Sequence, residues 1–349
     1  MHSYLMAFVG AFVALWFLIP FARRIGLVDK PAGRKKHTGE IPLIGGVAMC
    51  IAYILAVLTM PETTADVRSF LFASIVLVGI GVLDDYQETA VRMRFAAQLL
   101  AALIMTATAG HVISNLGNLL NNGDILLGDW AIPFSVFAVI GVINALNMAD
   151  GIDGLAGSVS LVSFVAMYYL AVEAGRPEAS MILLFIVILL PFLFLNLPFF
   201  GKARACVFMG DAGSMFLGFA LAWYFTVLCQ GPDAVMSPVT ALYIFAIPLF
   251  DTVSIMFRRM LKGHSPFRPD RDHFHHVFQA AGYSNRKTLG IIIIAQIIMA
   301  FIGIVGYKAG IPTWIMFWTY IGLLGLFFWA LKRAWYVMRV LRQIGGGAS

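Results

Sequence analysis

Along this chain apolar residues gather in long uninterrupted runs, and polar residues are confined to the shorter stretches between them. The runs lie at 4–21, 44–60, 70–83, 95–110, 132–143, 155–172, 181–195, 214–228, 239–257, 288–305 and 312–331. A helix rises 1.5 Å per residue, so roughly 20 apolar residues cross a hydrocarbon core about 30 Å thick. The runs are apolar on all sides and long enough for helices, whereas a porin-like barrel would show short strands alternating polar and apolar positions. The pattern predicts an all-α, polytopic integral membrane protein with about 11 transmembrane helices, forming a single membrane-embedded domain over the whole chain.

Composition sharpens this. Of 349 residues, 60% are hydrophobic and 12% charged, with mean hydropathy +0.87, which excludes a soluble enzyme, a disordered chain and a single-anchor receptor with a large ectodomain. Cys50, Cys206 and Cys229 form neither a CxxC pair nor an even-numbered framework, so they read as inert. The basic excess, 24 Lys and Arg over 18 Asp and Glu, fits loops that meet anionic lipid and gives no reason to invoke nucleic acid. No basic segment precedes the first run and Arg23-Arg24 follow it, as in an uncleaved first span. Threading the runs alternately places twenty-one of the 24 basic residues on the side of Arg23, leaving only Arg68, Arg176 and Lys308 opposite. That asymmetry predicts an outside N-terminus and a cytoplasmic C-terminus. The dense clusters of carboxylate, amide, histidine and arginine fall on the same side, including the basic loop 258–287, so an active site is expected at the cytoplasmic face.

Four clusters there could carry chemistry. Asp84-Asp85 directly follow a run, with Arg92 and Arg94 on the same short loop; adjacent carboxylates can hold Mg²⁺ or serve as a base, or they can simply be a solvated helix end. Asn144, Asn147, Asp150 and Asp153 recur at steps of three, near one face of a helix, with Gly151, Gly154 and Gly157 permitting close backbone approach to a ligand. Amides capping helix ends and glycines packing helices would give the same spacing. Asp211, flanked by Gly210 and Gly213 at the start of a span, can cap that helix or bring a divalent metal and phosphate to its N-terminus, and Phe208 before it offers a flat face to a nucleobase. The fourth cluster, 268–276, holds Arg271, His273, His275 and His276, suited to a diphosphate, with a zinc site or a merely basic loop as the other readings. Asp251 lies inside a span, where a charge faces the bundle interior for function or for a buried hydrogen bond. Lys35, Lys36 and His37 suit phosphate or lipid headgroups alike. Carboxylates for a metal, cations for diphosphate and spans for a lipid chain converge on phosphoryl transfer to a membrane-embedded acceptor. A secondary transporter is the alternative from another class, although it would place its site near the midplane between repeats.

Asp84-Asp85-Tyr86, the stretch from Asn144 to Ala156, Phe208 to Ser214 and Pro269 to His276 together resemble the motifs of the polyprenyl-phosphate N-acetylhexosamine-1-phosphate transferases. The last loop is similar to that of the bacterial undecaprenyl-phosphate GlcNAc-1-phosphate transferases (WecA type). The resemblance implies transfer of GlcNAc-1-phosphate from UDP-GlcNAc, or another UDP-N-acetylhexosamine, to undecaprenyl phosphate in the bacterial inner membrane. UMP would be released, with Mg²⁺ or Mn²⁺ required, to begin O-antigen or a related surface glycan; dimerisation follows by the same analogy. It also implies that Asp84 deprotonates or orients the lipid phosphate and that Asp211 binds the metal with Asp85 in support. Asp153, Asn196 and Phe208 would line the uridine site, and Asp150 with Arg271, His273, His275 and His276 would bind the sugar diphosphate, with Asn144 and Asn147 beside them. Direct attack by the lipid phosphate is the expected route; a covalent intermediate on Asp84 would overturn it.

Overall fold

A computed structural model of the chain describes residues 2–30, 39–60, 64–87, 89–198, 204–261, 263, 274–333 and 336. Lys35, Lys36, His37, Arg271 and His273 lie outside them. The chain divides into two compact units, residues 1–114 with 127–235 and residues 115–126 with 236–349.

The first unit opens with α1 (His2–Ile25), whose buried positions are Ala7, Ala11, Leu15 and Ala22. Small side chains at helical spacing give it a stripe on which α2 (Gly45–Leu58) and α7 (Ala179–Asn196) pack closely. Between α1 and α2, strand β1 (Val28–Asp29) pairs antiparallel with β2 (Ile41–Pro42). Helix α3 (Ala65–Gln87) is followed by α4 (Val91–Leu103), which runs on through a π-helical turn, Ile104–Thr108. After α5 (Ala131–Ala149), α6 (Leu155–Glu173) and α7 comes α8 (Gly210–Cys229). It is 94% buried over its most apolar window and packs against α2, α3, α5 and α6. A helix apolar on every side belongs in the centre of a bundle, and α8 has that sequence. It is the axle of the first unit, and its first turn carries Asp211.

The second unit contains α9 (Pro238–Ile244) and α10 (Ala246–Leu261), which meet at an 88° bend, and α11 (Phe274–Ala280), α12 (Asn285–Lys308) and α13 (Thr313–Lys332). The bend frees backbone groups that cannot be left unpaired in a dry interior. Gln296, fully buried on α12, satisfies them: its Oε1 accepts from the Ile247 N–H at 3.0 Å and its Nε2 donates to the Ile244 carbonyl.

Among the described residues nine helices are long and apolar enough to cross a membrane, and ten if the bent pair is one span. The eleven runs read from the sequence include 44–60, where the helix covers only Gly45–Leu58, 14 residues. At 1.5 Å per residue that is about 21 Å, short of a full crossing. The segment ahead of it and its first residues are held in pairing: Phe208 N–H donates to the Pro42 carbonyl, and the Gly45 and Gly46 N–H groups at the start of α2 donate to the Phe208 and Met209 carbonyls, each at 2.9 Å.

Candidate active site

The end of α3, the start of α4, the end of α5 and the start of α8 converge in the first unit. Their meeting requires α8 to begin almost in contact with the backbones of its neighbours. A Cβ at Gly46 would run into the backbone of Gly213, and one at Gly81 into the backbone of Ala212. Gly210 has φ +72°, and a side chain there would strike the Asp85 carboxylate.

Asp85 uses that proximity. Its Oδ1 accepts from the Asp211 N–H at 2.8 Å and its Oδ2 from the Ala212 N–H at 3.3 Å. These belong to the first turn of α8, whose N–H groups have no partner within the helix. A carboxylate carried by α3 therefore caps α8 and fixes where Asp211 stands.

Asp84 is buried, and both of its oxygens are engaged. Oδ1 accepts from the Thr89 N–H at 2.7 Å and the Thr89 hydroxyl at 2.6 Å, while Oδ2 accepts from Arg94 Nη1 at 2.8 Å. The same Nη1 lies 3.2 Å from Asp211 Oδ2. One cationic nitrogen is thus shared by two carboxylates drawn from different helices. The other Asp211 oxygen accepts from Asn147 Nδ2 at 2.7 Å, and that nitrogen also donates to the Ser214 hydroxyl at 2.8 Å.

The resemblance implies a divalent metal here, and the donor set suits one. The oxygens of Asp84 and Asp211 face a common cation, and hard oxygen donors are what Mg²⁺ and Mn²⁺ take. Among the described residues no three Asp, Glu, His or Cys side chains are grouped so as to hold an ion unaided. An ion at this place would share its coordination with substrate phosphate and water, as Mg²⁺ commonly does.

Five further expected residues, Asn144, Asp150, Asp153, Asn196 and Phe208, lie in the first unit. Asn144 donates to Gln98 Oε1 at 2.7 Å and to the Ile140 carbonyl at 2.8 Å. Asp150 terminates α5; solvent reaches it, yet the protein packed around it and then the carboxylates of Asp211 and Asp153 push its pKa up to about 7. Asp153 Oδ2 accepts from the Ala205 N–H at 3.2 Å. Asn196 is buried with both ends of its amide in use, accepting from the Gly154 N–H and donating to the Val207 carbonyl, each at 2.8 Å. It ties the loop after Asp153 to the segment before α8. Phe208 is half-buried within that segment, bridged to Leu43. His275 and His276 stand on α11 of the second unit, where His275 is buried and His276 Nδ1 lies 3.0 Å from Gln279 Oε1.

Arg94, Thr89 and Ser214 are side chains of this cluster that the sequence did not single out as site residues. The available signal for Arg94 was a cation on the loop just past a carboxylate pair; that it would meet both Asp84 and, 117 residues onward, Asp211 was not visible.

Carboxylates and amides gathered round a cation, at one end of a bundle of apolar helices, define a polytopic membrane enzyme. Residues 67–229 match Glycosyl transferase family 4. Over 345 residues the chain is 41% identical to the undecaprenyl-phosphate alpha-N-acetylglucosaminyl 1-phosphate transferase of Pasteurella multocida, covering 98% of this chain and 96% of that protein. The transferases of the same name from Yersinia pestis and Escherichia coli K12 are 39% and 37% identical, over 97% and 95% of this chain and 93% and 90% of theirs. The chain belongs to this family of glycosyl-1-phosphate transferases.

Proposed function

We propose that the protein transfers GlcNAc-1-phosphate from UDP-GlcNAc to undecaprenyl phosphate, giving undecaprenyl-diphosphate-GlcNAc and UMP. The observation that carries this reading is the pairing of near full-length similarity to transferases of that name with the Asp84–Arg94–Asp211 arrangement. In the reaction an oxygen of the lipid phosphate bonds to the sugar-bearing phosphorus. The bond from that phosphorus to the bridging oxygen breaks, and UMP leaves with that oxygen. Such transfer is governed by positioning and charge stabilisation.

Each residue then has a task. Asp84, held by Thr89 and Arg94, takes up a proton from the lipid phosphate or orients it. Asp211 would hold Mg²⁺ or Mn²⁺, supported by Asp85 through the helix start the two share; when bound, the ion supplies charge neutralisation on the diphosphate. Asn144 and Asn147 set the polar wall beside Asp211, Asp153, Asn196 and Phe208 form the uridine side, and Asp150 faces the sugar diphosphate. The resemblance further carries the proposal that Arg271, His273, His275 and His276 bind diphosphate. The enzyme would work from the cytoplasmic face of the bacterial inner membrane, with its N-terminus outside and its C-terminus in the cytoplasm.

The test is UMP release by purified protein in detergent, with and without undecaprenyl phosphate and Mg²⁺, for the native chain, Asp84→Asn and Asp211→Asn. Release that needs lipid and metal and is lost in both variants is expected. Release only with a different UDP-sugar would replace the donor, and silence with every donor would overturn the reading.

A further inference from the structure

The second unit holds a buried carboxylate for which the proposed reaction has no use. Asp251 lies on α10, 5% exposed, at a depth where an ionisable group is costly unless something is gained from it. Its Oδ1 accepts the backbone N–H of Phe274 at 2.9 Å. Phe274 is the first residue of α11, so this N–H has no partner inside its own helix. The cap thus comes from a different helix, 23 residues away in the chain.

The remaining contacts of α11 act in the same sense. The Phe274 ring packs on Phe327 of α13 at 4.8 Å, and Phe327 in turn meets Phe250 of α10 at 5.6 Å. At the far side, Gln279 Nε2 donates to Asn285 Oδ1 on α12 at 2.9 Å, which leaves Gln279 Oε1 to face His276 Nδ1. A helix of only seven residues has little stability of its own. Its orientation is set by these three attachments, and with it the directions of His275 and His276, whose rings lie 4.2 Å apart.

We propose that Asp251 is a positioning residue: by capping α11 from α10 it fixes the histidine pair for binding the donor diphosphate. The inference rests on the function proposed above for those histidines. An amide at this position keeps an acceptor oxygen, whereas a methyl group removes it, so Asp251→Asn and Asp251→Ala separate the hydrogen bond from simple occupancy of the site.

Two readouts on the full chain in detergent test it: hydrogen exchange of the peptide 274–280, and the steady-state parameters of UMP release. Asp251→Ala should speed exchange in that peptide and raise the KM for UDP-GlcNAc about tenfold while kcat changes less than about threefold. Asp251→Asn should hold both near the native values. In a His275→Ala/His276→Ala background, Asp251→Ala should add little further increase, because it acts through the histidine pair. Unchanged exchange in Asp251→Ala, an unchanged KM despite faster exchange, or a full additional increase in the His275→Ala/His276→Ala background would each overturn the proposal. A native chain that releases no UMP from UDP-GlcNAc would instead sink the reading beneath it, and the exchange measurement would still decide whether Asp251 holds α11.

Discussion

Replacing Arg94 with Met removes the cation between Asp84 and Asp211 while keeping an unbranched side chain of comparable reach. Arg94 Nη1 makes two charge-assisted hydrogen bonds, at 2.8 and 3.2 Å. Each such bond is worth about 1.5–3 kcal/mol when well shielded. The Arg94 and Asp211 side chains are 31% and 30% exposed, against 6% for Asp84, so solvent screens the second bond more than the first. Crediting the shielded bond nearly in full and the longer one weakly gives a loss of about 2 kcal/mol, with the two carboxylates then facing each other uncompensated. For a chain of this size that corresponds to a fall of roughly 3 °C in melting temperature. The assay is thermal unfolding of detergent-purified protein with a chelator and, separately, with saturating Mg²⁺. The variant should melt lower in chelator, and Mg²⁺ should restore more of the difference than it adds to the native chain, because a divalent ion neutralises the same carboxylates. Equal melting of the two proteins in chelator, or a deficit that Mg²⁺ leaves unchanged, would refute the reasoning.

Other outcomes follow from the same geometry. Gly81→Val drives a branched side chain into the backbone of Ala212 at the start of α8; overpacking against backbone has no cheap relief, so monodisperse protein in detergent should be lost or its melting temperature should fall by many degrees, and a native-like melt would refute the close approach. Gln296→Leu removes the bonds to the Ile247 N–H and the Ile244 carbonyl at the bend between α9 and α10; a destabilisation of about 1–3 kcal/mol is expected, read as a lower melting temperature. At the opposite end of the first unit, burial raises the Glu178 carboxyl but the two-pronged Arg176 contact, at 2.9 Å on each oxygen, outweighs it and holds the pKa below the ordinary value. A depressed carboxyl pKa contributes stability that is present above the unfolded value, about 4.3–4.5, and is lost as pH falls through the folded one. The native chain should therefore lose melting temperature more steeply than Glu178→Gln as pH drops below about 4.5; parallel curves would show that the pair contributes nothing.

The apolar runs decided in advance that this chain would be a bundle of membrane helices, because crossing a hydrocarbon core is a demand on local composition and helical rise. Asp84-Asp85, Asn147, Asp150 and Asp211 were legible for a related reason: a carboxylate or amide at the end of an apolar run stands out against its surroundings. Which groups each of them meets was not legible. Asp85, expected in support of Asp211, gives both oxygens to the first N–H groups of α8, a partnership across 126 residues in the case of Asp211. Asn196 spends its amide on the Gly154 and Val207 backbones, and the run 239–257 breaks at a bend stabilised by Gln296 from a helix about fifty residues onward. Short-range pattern fixes which segments leave water. Only the packed structure decides which buried donor meets which acceptor, because those pairings depend on helices that close glycine contacts bring together across most of the chain.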